Sequence, residues 1–401
     1  MPAQLPVYLD HNATTPVDPR VLDAMLPHFR ETFGNAASAH AFGCAAHTAV
    51  ETARQQTASL IHADPREIIW TSGATESDNL AIKGVAEQYK EKGRHIVTAI
   101  HEHHAVIDPC RKLASRGSDI TWLAPAAGSG GVITADQVAA AIRPDTILVS
   151  IMWANNEVGT INEIAAIGAL CHEAGVIFHT DATQAVGRVP IDVAAANVDL
   201  LSASAHKFHG PKGVGFLYVR RKGPRIRLDP LFDGGGHERS MRSGTLNVPG
   251  IVGLGHAAAL CALELTDEMR RLRSLRDHLE ASLLTAIPGS IVNGHLTKRL
   301  PQTCNISLPH VESDRLIASM NDLAISAGAA CTSASREVSH VLHALGVPEE
   351  QARGAMRLSL GRFTTRDEID WAVNRIVDAL AASKASNDNT CDVKPISSTA
   401  S

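Results

Sequence analysis

Short apolar runs rich in β-branched residues alternate with longer amphipathic segments over the first two thirds of the chain. The runs EIIWTSG, RHIVTAI, TILVSIMWA, GVIFHTDA, VDLLSAS and GVGFLYV have the length and composition of buried strands. Between them, SDNLAIKGVAEQYKEKG and NEIAAIGALCHEAG have apolar residues at helical spacing and end on a glycine, a helix stop signal. This alternation predicts an α/β fold with a mostly parallel sheet covered by helices on both faces.

The pattern changes near residue 262. The charged helical segment LELTDEMRRLRSLRDHLEASLLTAI lies there and shorter elements follow, which predicts a second, smaller α/β unit. The polar end of the chain has too few apolar residues to form a core. We therefore expect a large domain over residues 15–261, a small domain from residues 1–14 and 262–383, and a disordered tail over residues 384–401.

Composition excludes several classes of function. The 401-residue chain is 44% hydrophobic and 20% charged with a net charge of −5, which is typical of a soluble globular protein and gives no sign of a nucleic-acid partner. Its seven cysteines lack C-x-x-C spacing, which argues against a disulfide framework and a zinc knuckle. The N-terminus lacks the features of a signal peptide, and we find no uninterrupted apolar run long enough to cross a bilayer. We expect a cytoplasmic protein without membrane contact.

Ligands of open α/β sheets bind beyond the carboxyl ends of the strands, so the residues after each apolar run are the candidates for function. After EIIW, Ala74 and Thr75 begin a helix whose N-terminus suits a phosphate, with an ordinary helix cap as the alternative. After HIVTAI, the spacing of HEHHAV matches no standard zinc pattern, which favours one histidine as a cofactor contact or acid-base group. After ILVSIMWA, either Asn155 or Asn156 can donate a hydrogen bond to a ligand.

Two further strand ends carry opposite charges. Asp181 follows VIFHT, and Lys207 follows VDLLSASAH. A lysine in a partly apolar cleft needs a partner or the loss of its proton, and an imine with an aldehyde satisfies both needs. Pyridoxal phosphate enzymes need such a lysine, an acid beside the pyridine nitrogen and an anion site for the phosphate. Lys207 and Asp181 supply the first two, and Thr75, Ser204 and His206 offer the third. Together they indicate pyridoxal 5'-phosphate as the cofactor.

Long motifs from about Tyr8 to about Leu380 resemble one family. They are YLDHNATTPVDPRV, TSGATESDNLAIKG, EHHAV, MWANNEVGT, HTDATQAVGRVPID, SASAHKFHGPKGVGFLYVRR, GGGHERSMRSGT, GAACTSAS and RLSLGRFTT. The chain resembles the class V aminotransferase-like pyridoxal phosphate enzymes of fold type I, and specifically the NifS/IscS-type cysteine desulfurases. The resemblance implies conversion of L-cysteine to L-alanine, with the sulfur left as a persulfide on an enzyme cysteine. It also implies a homodimer and a sulfur-acceptor protein, such as an iron-sulfur scaffold, as partners.

The resemblance implies a role for each matched position. Lys207 is similar to the Schiff-base lysine, Asp181 to the partner of the pyridine nitrogen, and His103 to the histidine that stacks on the ring and moves protons. Arg357 is similar to the arginine that binds the substrate carboxylate in a fork. The other matched positions are cofactor or substrate contacts: Asn156 and Gln184 at the ring oxygen and the substrate, Ala74, Thr75, Ser204 and His206 at the phosphate, and Thr245 at the phosphate of the other subunit.

Cys331, in AISAGAACTSASREVSH, is similar to the family's nucleophile. Its neighbours are small and polar, as required of a loop that must carry a persulfide outward. The implied order is imine exchange with the substrate, removal of the Cα proton by the freed Lys207, attack of the Cys331 thiolate on the substrate sulfur, and release of alanine. We expect no metal site, and a transient contact of Cys331 with an iron-sulfur cluster is left open.

The chain departs from the family pattern in three places. Ala36 replaces a proline, Ala329 replaces a serine close to Cys331, and the C-terminus lacks the segment through which relatives often dock a scaffold. Two other functions stay open: a lyase acting on selenocysteine or another β-substituted amino acid, and a non-catalytic scaffold. The intact set of catalytic residues argues against both. The motif MWANNEVGT leans toward the nitrogen-fixation branch, which leaves a nitrogenase-specific role beside general cluster assembly.

Overall fold

The computed structural model of the protein describes residues 6–327 and 338–388. The strands are β1 (Val7–Tyr8), β2 (Ile68–Thr71), β3 (His95–Ala99), β4 (Asp119–Leu123), β5 (Thr146–Ser150), β6 (Ile177–Asp181), β7 (Leu200–Ser204), β8 (Gly215–Val219), β9 (Ile291–Val292), β10 (Thr303–Ser307), β11 (Leu323–Ala324) and β12 (Ala355–Ser359). The helices are α1 (Pro19–Met25), α2 (Pro27–Arg30), α3 (Ala41–Leu60), α4 (Ala74–Gln88), α5 (His104–Ala114), α6 (Ala135–Ala141), α7 (Ile164–Ala174), α8 (Val248–Ala286), α9 (Ser313–Ala318), α10 (His340–Ala344), α11 (Glu349–Arg353) and α12 (Arg366–Asp388). Cys331 and Ala329 lie outside the described residues.

The large sheet is mixed and has the strand order β2-β8-β7-β6-β5-β3-β4. Strands β3 to β7 pair in parallel, and β8 runs antiparallel to both β2 and β7. All six apolar runs predicted as strands lie in this sheet, so the predicted α/β fold with a mostly parallel sheet is confirmed. Strand β4 was not predicted, because this edge strand is not fully buried and DITWL lacks a continuous apolar run.

Each face of the large sheet carries an apolar core, because successive strand residues point to opposite faces. On β6, Phe178 belongs to a core formed with α3, α7 and α8. Its neighbour Ile177 belongs to the core formed with α4 and α5 on the other face. Helices therefore pack against both faces of the sheet and bury it on both sides.

Helix α8 is a continuous helix of 39 residues that joins two cores. Its residues between Val248 and Cys261 pack with the large sheet, whereas those between Leu272 and Leu283 pack with α12 and the antiparallel sheet β12-β10-β9. Leu9, next to β1, also belongs to the second core. The change of core coincides with the change of pattern predicted near residue 262, but it falls inside a helix. The division into two domains stays a prediction.

The structure bears on two of the sequence expectations. By length and composition, helix α8 contains an 18-residue window apolar enough to cross a bilayer. Half of that window is buried inside the protein, as in the core helix of a soluble protein. Helix α12 continues to Asp388, so residues 384–388 of the predicted disordered tail are helical. The segment AASKAS favours helix through its alanines.

Candidate active site

A cavity of about 890 Å³ lies at the carboxyl ends of the large sheet's strands. Its wall includes residues that follow β2, β3, β5, β6 and β7, together with a residue of β12 from the second core. The predicted site residues that line it are Ala74, Thr75, His103, Asn156, Asp181, Gln184, Ser204, His206, Lys207 and Arg357. Of the predicted residues that the structure describes, Thr245 is exposed and does not line the cavity of its own chain.

Lys207 lies in a short 3-10 turn that directly follows β7. Its Nζ donates hydrogen bonds to the carbonyl oxygens of Asn12 at 2.6 Å and Ala13 at 2.9 Å. Its own carbonyl accepts a hydrogen bond of 3.0 Å from the buried guanidinium of Arg188. Both the backbone and the amine of Lys207 are therefore fixed at the cavity, and the side chain is half-buried.

Asp181 is the last residue of β6, and its side chain lies in the cavity wall. The residue is 6% exposed, and Oδ1 accepts the Thr183 backbone N–H at 2.9 Å. A buried carboxylate is costly unless hydrogen-bond donors or cations surround it. Asp181 is therefore suited to a ligand that brings its own proton, such as a protonated ring nitrogen.

Two fully buried side chains interact electrostatically with Asp181. Asp78 of α4 and His179 of β6 approach within 3.5 Å, between Asp78 Oδ1 and His179 Nε2. Burial, followed by the charge of Asp181, raises the pKa of Asp78 well above its usual range. Burial lowers the pKa of His179 to about 4. His179 is therefore neutral near pH 7, and burial favours the protonated, neutral form of Asp78.

Helix α4 begins at the cavity without a side-chain cap. Its N-cap is Gly73, whose φ of 154° favours glycine, and no side chain in the described part of the chain caps it. A Cβ on Gly215 of β8 would lie 2.7 Å from the Gly73 Cα, so a glycine is needed there as well. The first backbone N–H groups of α4 therefore remain for an anion.

Ser204 and His206 lie beside this helix terminus. Ser204 ends β7 and is buried, and His206 Nδ1 lies 3.1 Å from Thr14 Oγ1. Burial, followed by the charges of Lys207 and Lys212, lowers the pKa of His206 to about 4. The ring is therefore neutral at physiological pH, so it acts on an anion as a hydrogen-bonding group rather than as a charge.

His103 is the N-cap residue of α5. Its Nδ1 accepts the Ala105 backbone N–H at 3.1 Å, so the neutral ring carries its proton on Nε2. Burial is the largest of the effects that lower its pKa; the charge of Asp181 raises it, and that of Lys207 lowers it. The nearby His101 uses its Nε2–H to donate a hydrogen bond to the Gly131 carbonyl at 3.0 Å, so this group is not available to a ligand. His103 thus offers a neutral ring and one N–H to a ligand.

Arg357 occupies the middle of β12 and is 2% exposed. Its Nη2 lies 2.8 Å from Asp10 Oδ1, and its Nη1 donates to the Asn156 carbonyl at 3.1 Å. Within the described residues its buried Nε has no hydrogen-bond partner. A guanidinium fixed in this way can bind a carboxylate that enters the cavity.

Asn12 is the main site residue that the strand-end argument missed. Its carbonyl accepts hydrogen bonds from Lys207 Nζ and from Gln184 Nε2, the latter at 2.9 Å. Its side-chain Nδ2 donates to the Asn156 carbonyl at 3.1 Å and to Thr303 Oγ1 at 2.9 Å. Asn12 follows the two-residue strand β1, which is too short to produce an apolar run.

The two asparagines of NNEVG have different functions in the structure. Asn155 is buried, and its Oδ1 accepts the backbone N–H groups of Glu157 and Val158 at 2.8 and 3.0 Å. It therefore stabilises the turn after β5. Asn156 lines the cavity, so of the two candidates left open by the sequence it is the one available to a ligand.

The groups around the cavity fit pyridoxal phosphate. They comprise a fixed primary amine, a buried carboxylate, an uncapped helix N-terminus with a serine and a histidine beside it, and a neutral histidine ring. A Cβ on Gly73 would lie 3.5 Å from Ser204 Oγ, so this glycine keeps the backbone beside Ser204 uncovered, as a cradle for an anion requires. This combination defines the site of a fold type I pyridoxal phosphate enzyme.

Comparisons with known proteins identify the family. The family model described as "Aminotransferase class-V" matches residues 7–371. The cysteine desulfurase IscS of Methylococcus capsulatus is 54% identical over 94% of this chain and 93% of its own. A solved NifS-like protein has a TM-score of 0.87 at 37% identity and covers 94% of this chain and 100% of its own. A solved SspA in complex with cysteine has a TM-score of 0.79 at 38% identity, covering 89% and 99%. The chain belongs to the class-V aminotransferase family, and within it to the cysteine desulfurases.

Proposed function

We propose that this protein transfers the sulfur of L-cysteine to Cys331 as a persulfide, releases L-alanine, and passes the sulfur to an acceptor protein such as an iron-sulfur scaffold. One observation carries the proposal: Lys207, Asp181 and Arg357 line a single cavity in a chain that is 54% identical to a cysteine desulfurase. An amine, an acid and a carboxylate-binding guanidinium are the groups that pyridoxal chemistry on an amino acid requires.

Pyridoxal 5'-phosphate would be held by three groups of residues. Lys207 would bind it covalently, and Asp181 would hold the proton on the pyridine nitrogen. The phosphate would lie at the N-terminus of α4 around Ala74 and Thr75, with Ser204 and His206 beside it. Gln184 and Asn156 would contact the ring oxygen and the substrate, and His103 the face of the ring. When bound, the cofactor supplies an electron sink for the charge that develops at the substrate Cα.

Arg357 and Lys207 would prepare the substrate for sulfur transfer. Arg357 binds the L-cysteine carboxylate and so orients the Cα–H bond and the side-chain sulfur. Lys207 Nζ, once freed by the substrate, takes the Cα proton. The carbonyl groups of Asn12 and Ala13 accept hydrogen bonds from this amine, which stabilises its protonated form. The neutral His103 ring offers its Nε2–H to the reacting groups.

The sulfur-transfer step needs no external oxidant. The Cys331 thiolate attacks the substrate sulfur, so an S–S bond forms and the substrate Cβ–S bond breaks. The electron pair of the broken bond goes to Cβ, which a proton converts to the methyl group of alanine. Both sulfur atoms are oxidised and Cβ is reduced. One thiol and one cysteine therefore give one persulfide and one alanine.

We infer a homodimer in which Thr245 reaches the phosphate of the partner subunit's cavity. Thr245 is exposed in a single chain and does not line the cavity of that chain, so its side chain is available to a second copy. We expect the enzyme in the cytoplasm, where free cysteine and thiol reductants are available.

Alanine formation tests the proposed function. Purified protein is incubated with pyridoxal phosphate, L-cysteine and a thiol reductant, and alanine is quantified. Cys331→Ser is compared with Cys44→Ser, which changes an exposed cysteine outside the cavity. We expect alanine from the wild type and from Cys44→Ser, and almost none from Cys331→Ser. Absence of alanine from the wild type, with release of selenide from selenocysteine, would contradict the proposal and favour the lyase.

A further inference from the structure

A buried hydrogen bond joins the cavity wall to the chain that follows the Cys331 segment. Ser339 Oγ donates to Glu157 Oε2 at 2.5 Å, and the two residues are 6% and 3% exposed. The same hydroxyl accepts the backbone N–H groups of Val341 and Leu342 at 3.2 and 3.3 Å and so caps α10. Glu157, Ser339 and His340 all line the cavity, so the start of α10 is itself part of the cavity wall and this hydrogen bond fixes it there.

The next residue, His340, contacts the same wall. Its Nε2 donates to the Glu102 carbonyl at 3.0 Å, and its ring centroid lies 5.0 Å from that of His104. Glu102 and His104 are the neighbours of His103 in the sequence. The chain that leaves the Cys331 segment is therefore attached to the part of the cavity that presents His103.

The chain that enters the segment is attached to a different wall. The Ser326 backbone N–H donates to the Arg357 carbonyl at 3.2 Å, and the Arg357 N–H donates to the Ser326 carbonyl at 2.7 Å. Ser326 is thereby paired with the middle of β12. On each side of the Cys331 segment, a described residue is therefore bonded to a residue of the cavity or to its neighbour.

We propose that Glu157 is a positioning residue for Cys331, which acts by fixing Ser339 and with it the point where the chain after the nucleophile meets the cavity. This inference rests on the proposed function, since it requires Cys331 as the nucleophile. Glu157 itself transfers no proton and forms no bond to sulfur. Its effect is on the rate of sulfur transfer, because misplacement of a reacting group by about 1 Å can reduce a rate by about 100-fold.

Three variants separate the positioning role from the capping role. Glu157→Ala removes the acceptor but leaves Ser339 to cap α10, Ser339→Ala removes both, and Ser339→Thr keeps a hydroxyl. Thr134→Ala is the matched control, because Thr134 caps α6 in the same way, with its Oγ1 accepting the Gln137 N–H at 3.3 Å, and does not line the cavity. Melting temperatures of all variants verify that each is folded.

The experiment measures two rates in one turnover of the cofactor-loaded enzyme without reductant. The first is the change in the cofactor's visible absorbance on mixing with L-cysteine, and the second is persulfide formation on Cys331, followed by mass spectrometry of quenched samples. We expect Glu157→Ala and Ser339→Ala to slow persulfide formation by about tenfold while the absorbance change stays within about twofold. Ser339→Thr should recover most of the rate, and Thr134→Ala should match the wild type.

Two results would overturn the inference. Persulfide formation at the wild-type rate in Glu157→Ala would show that the contact with Ser339 does not position the nucleophile. An equal loss of both rates would make Glu157 a cofactor or substrate contact instead. Failure of the wild type itself to form a persulfide on Cys331 would contradict the proposed function, and that outcome is visible without any variant of Glu157.

Discussion

The two ends of the cavity are built by different means. The cofactor end, around Lys207 and Asp181, consists of the carboxyl ends of neighbouring parallel strands and one helix N-terminus. The sulfur-transfer end brings together Arg357 of β12, Glu157 of the turn after β5 and Ser339 at the start of α10. Sheet geometry sets most of the first end, because parallel strands end at a common edge, and the carbonyls of Asn12 and Ala13 then accept hydrogen bonds from the Lys207 amine. Contacts between distant segments set the second end.

This difference predicts that substitutions at the cofactor end remove all activity, whereas substitutions at the sulfur-transfer end affect particular steps. At the cofactor end, hydrogen bonds hold both the amine and the backbone carbonyl of Lys207. At the sulfur-transfer end, Arg357 and Ser339 each depend on one or two hydrogen bonds to other segments. The following experiments test this comparison, from the largest expected effect to the smallest.

Lys207→Ala should abolish both turnover, a loss of at least about 1,000-fold, and the change in the cofactor's absorbance on mixing with L-cysteine, because it removes the amine that would bind the cofactor. Absorbance spectra and alanine formation measure the two effects. Lys92→Ala is the control, since Lys92 is exposed, lies outside the cavity lining and donates from its Nζ to the Gly175 carbonyl at 2.9 Å. Retained turnover in Lys207→Ala would contradict its assignment at the cofactor end.

Arg357→Lys should raise the KM for L-cysteine by about 10- to 100-fold with a smaller change in kcat, because an ammonium cannot bind a carboxylate in a fork. Steady-state kinetics of alanine formation measure this effect, and the cofactor's absorbance before substrate is added should not change. Arg353→Lys, in an exposed ion pair with Glu349, is the control. A lower kcat at unchanged KM would instead place Arg357 in the chemical step.

Thr245→Val should raise the dissociation constant of the cofactor by about tenfold, the effect of losing one hydrogen bond to a charged group. Mixed dimers of Thr245→Val and Lys207→Ala subunits sharpen this test. If Thr245 acts across subunits, each mixed dimer contains one intact site, so activity should recover at low cofactor concentration. A lack of recovery, or light scattering that shows an active monomer, would rule out the contribution of the second subunit.

Acid should destabilise the protein between about pH 6.5 and about pH 4. Burial lowers the pKa of four histidines to about 4, and they are His11, His101, His179 and His206. Because the unfolded chain binds these protons first, stability is complete above about pH 6.5 and is lost as the pH falls, by about 1.4 kcal/mol for each pKa unit of one histidine.

The buried acids Asp78 and Glu102 act in the opposite direction. Burial raises the pKa of both, so they hold protons that the unfolded chain has released. Below about pH 6.5 the histidines outnumber these two acids, and the free energy of unfolding should therefore fall between pH 6.5 and pH 5. Urea unfolding at these pH values measures it. A constant or rising free energy would mean that the histidines are not buried as described.

The sequence predicts the cofactor end well and the sulfur-transfer end poorly, for physical reasons. Buried parallel strands are marked by apolar runs, so the positions of Asp181 and Lys207 after such runs could be identified. Asn12 follows a strand of two residues that leaves no such signal. Glu157 and Ser339 are 182 residues apart, and neither belongs to a periodic pattern. Their contact depends on how the chain after the nucleophile folds against the large sheet, which local patterns do not encode.

The boundary predicted near residue 262 illustrates the same limit. The change from apolar to charged residues indicated a second unit, and the core partner of α8 does change between Cys261 and Leu272. Both halves nevertheless have helical periodicity, so the pattern could not reveal that one helix continues through the change. Periodicity predicts the element, whereas only packing reveals which core it joins.

The most direct test of the central claim identifies which cysteine receives the sulfur. The cofactor-loaded enzyme reacts with an equimolar amount of L-cysteine, and after alkylation its peptides are mapped by mass spectrometry while alanine is quantified. We predict a persulfide on Cys331 in an amount equal to the alanine formed. A persulfide on the exposed Cys44 or the buried Cys304, with Cys331 unmodified, would contradict the account.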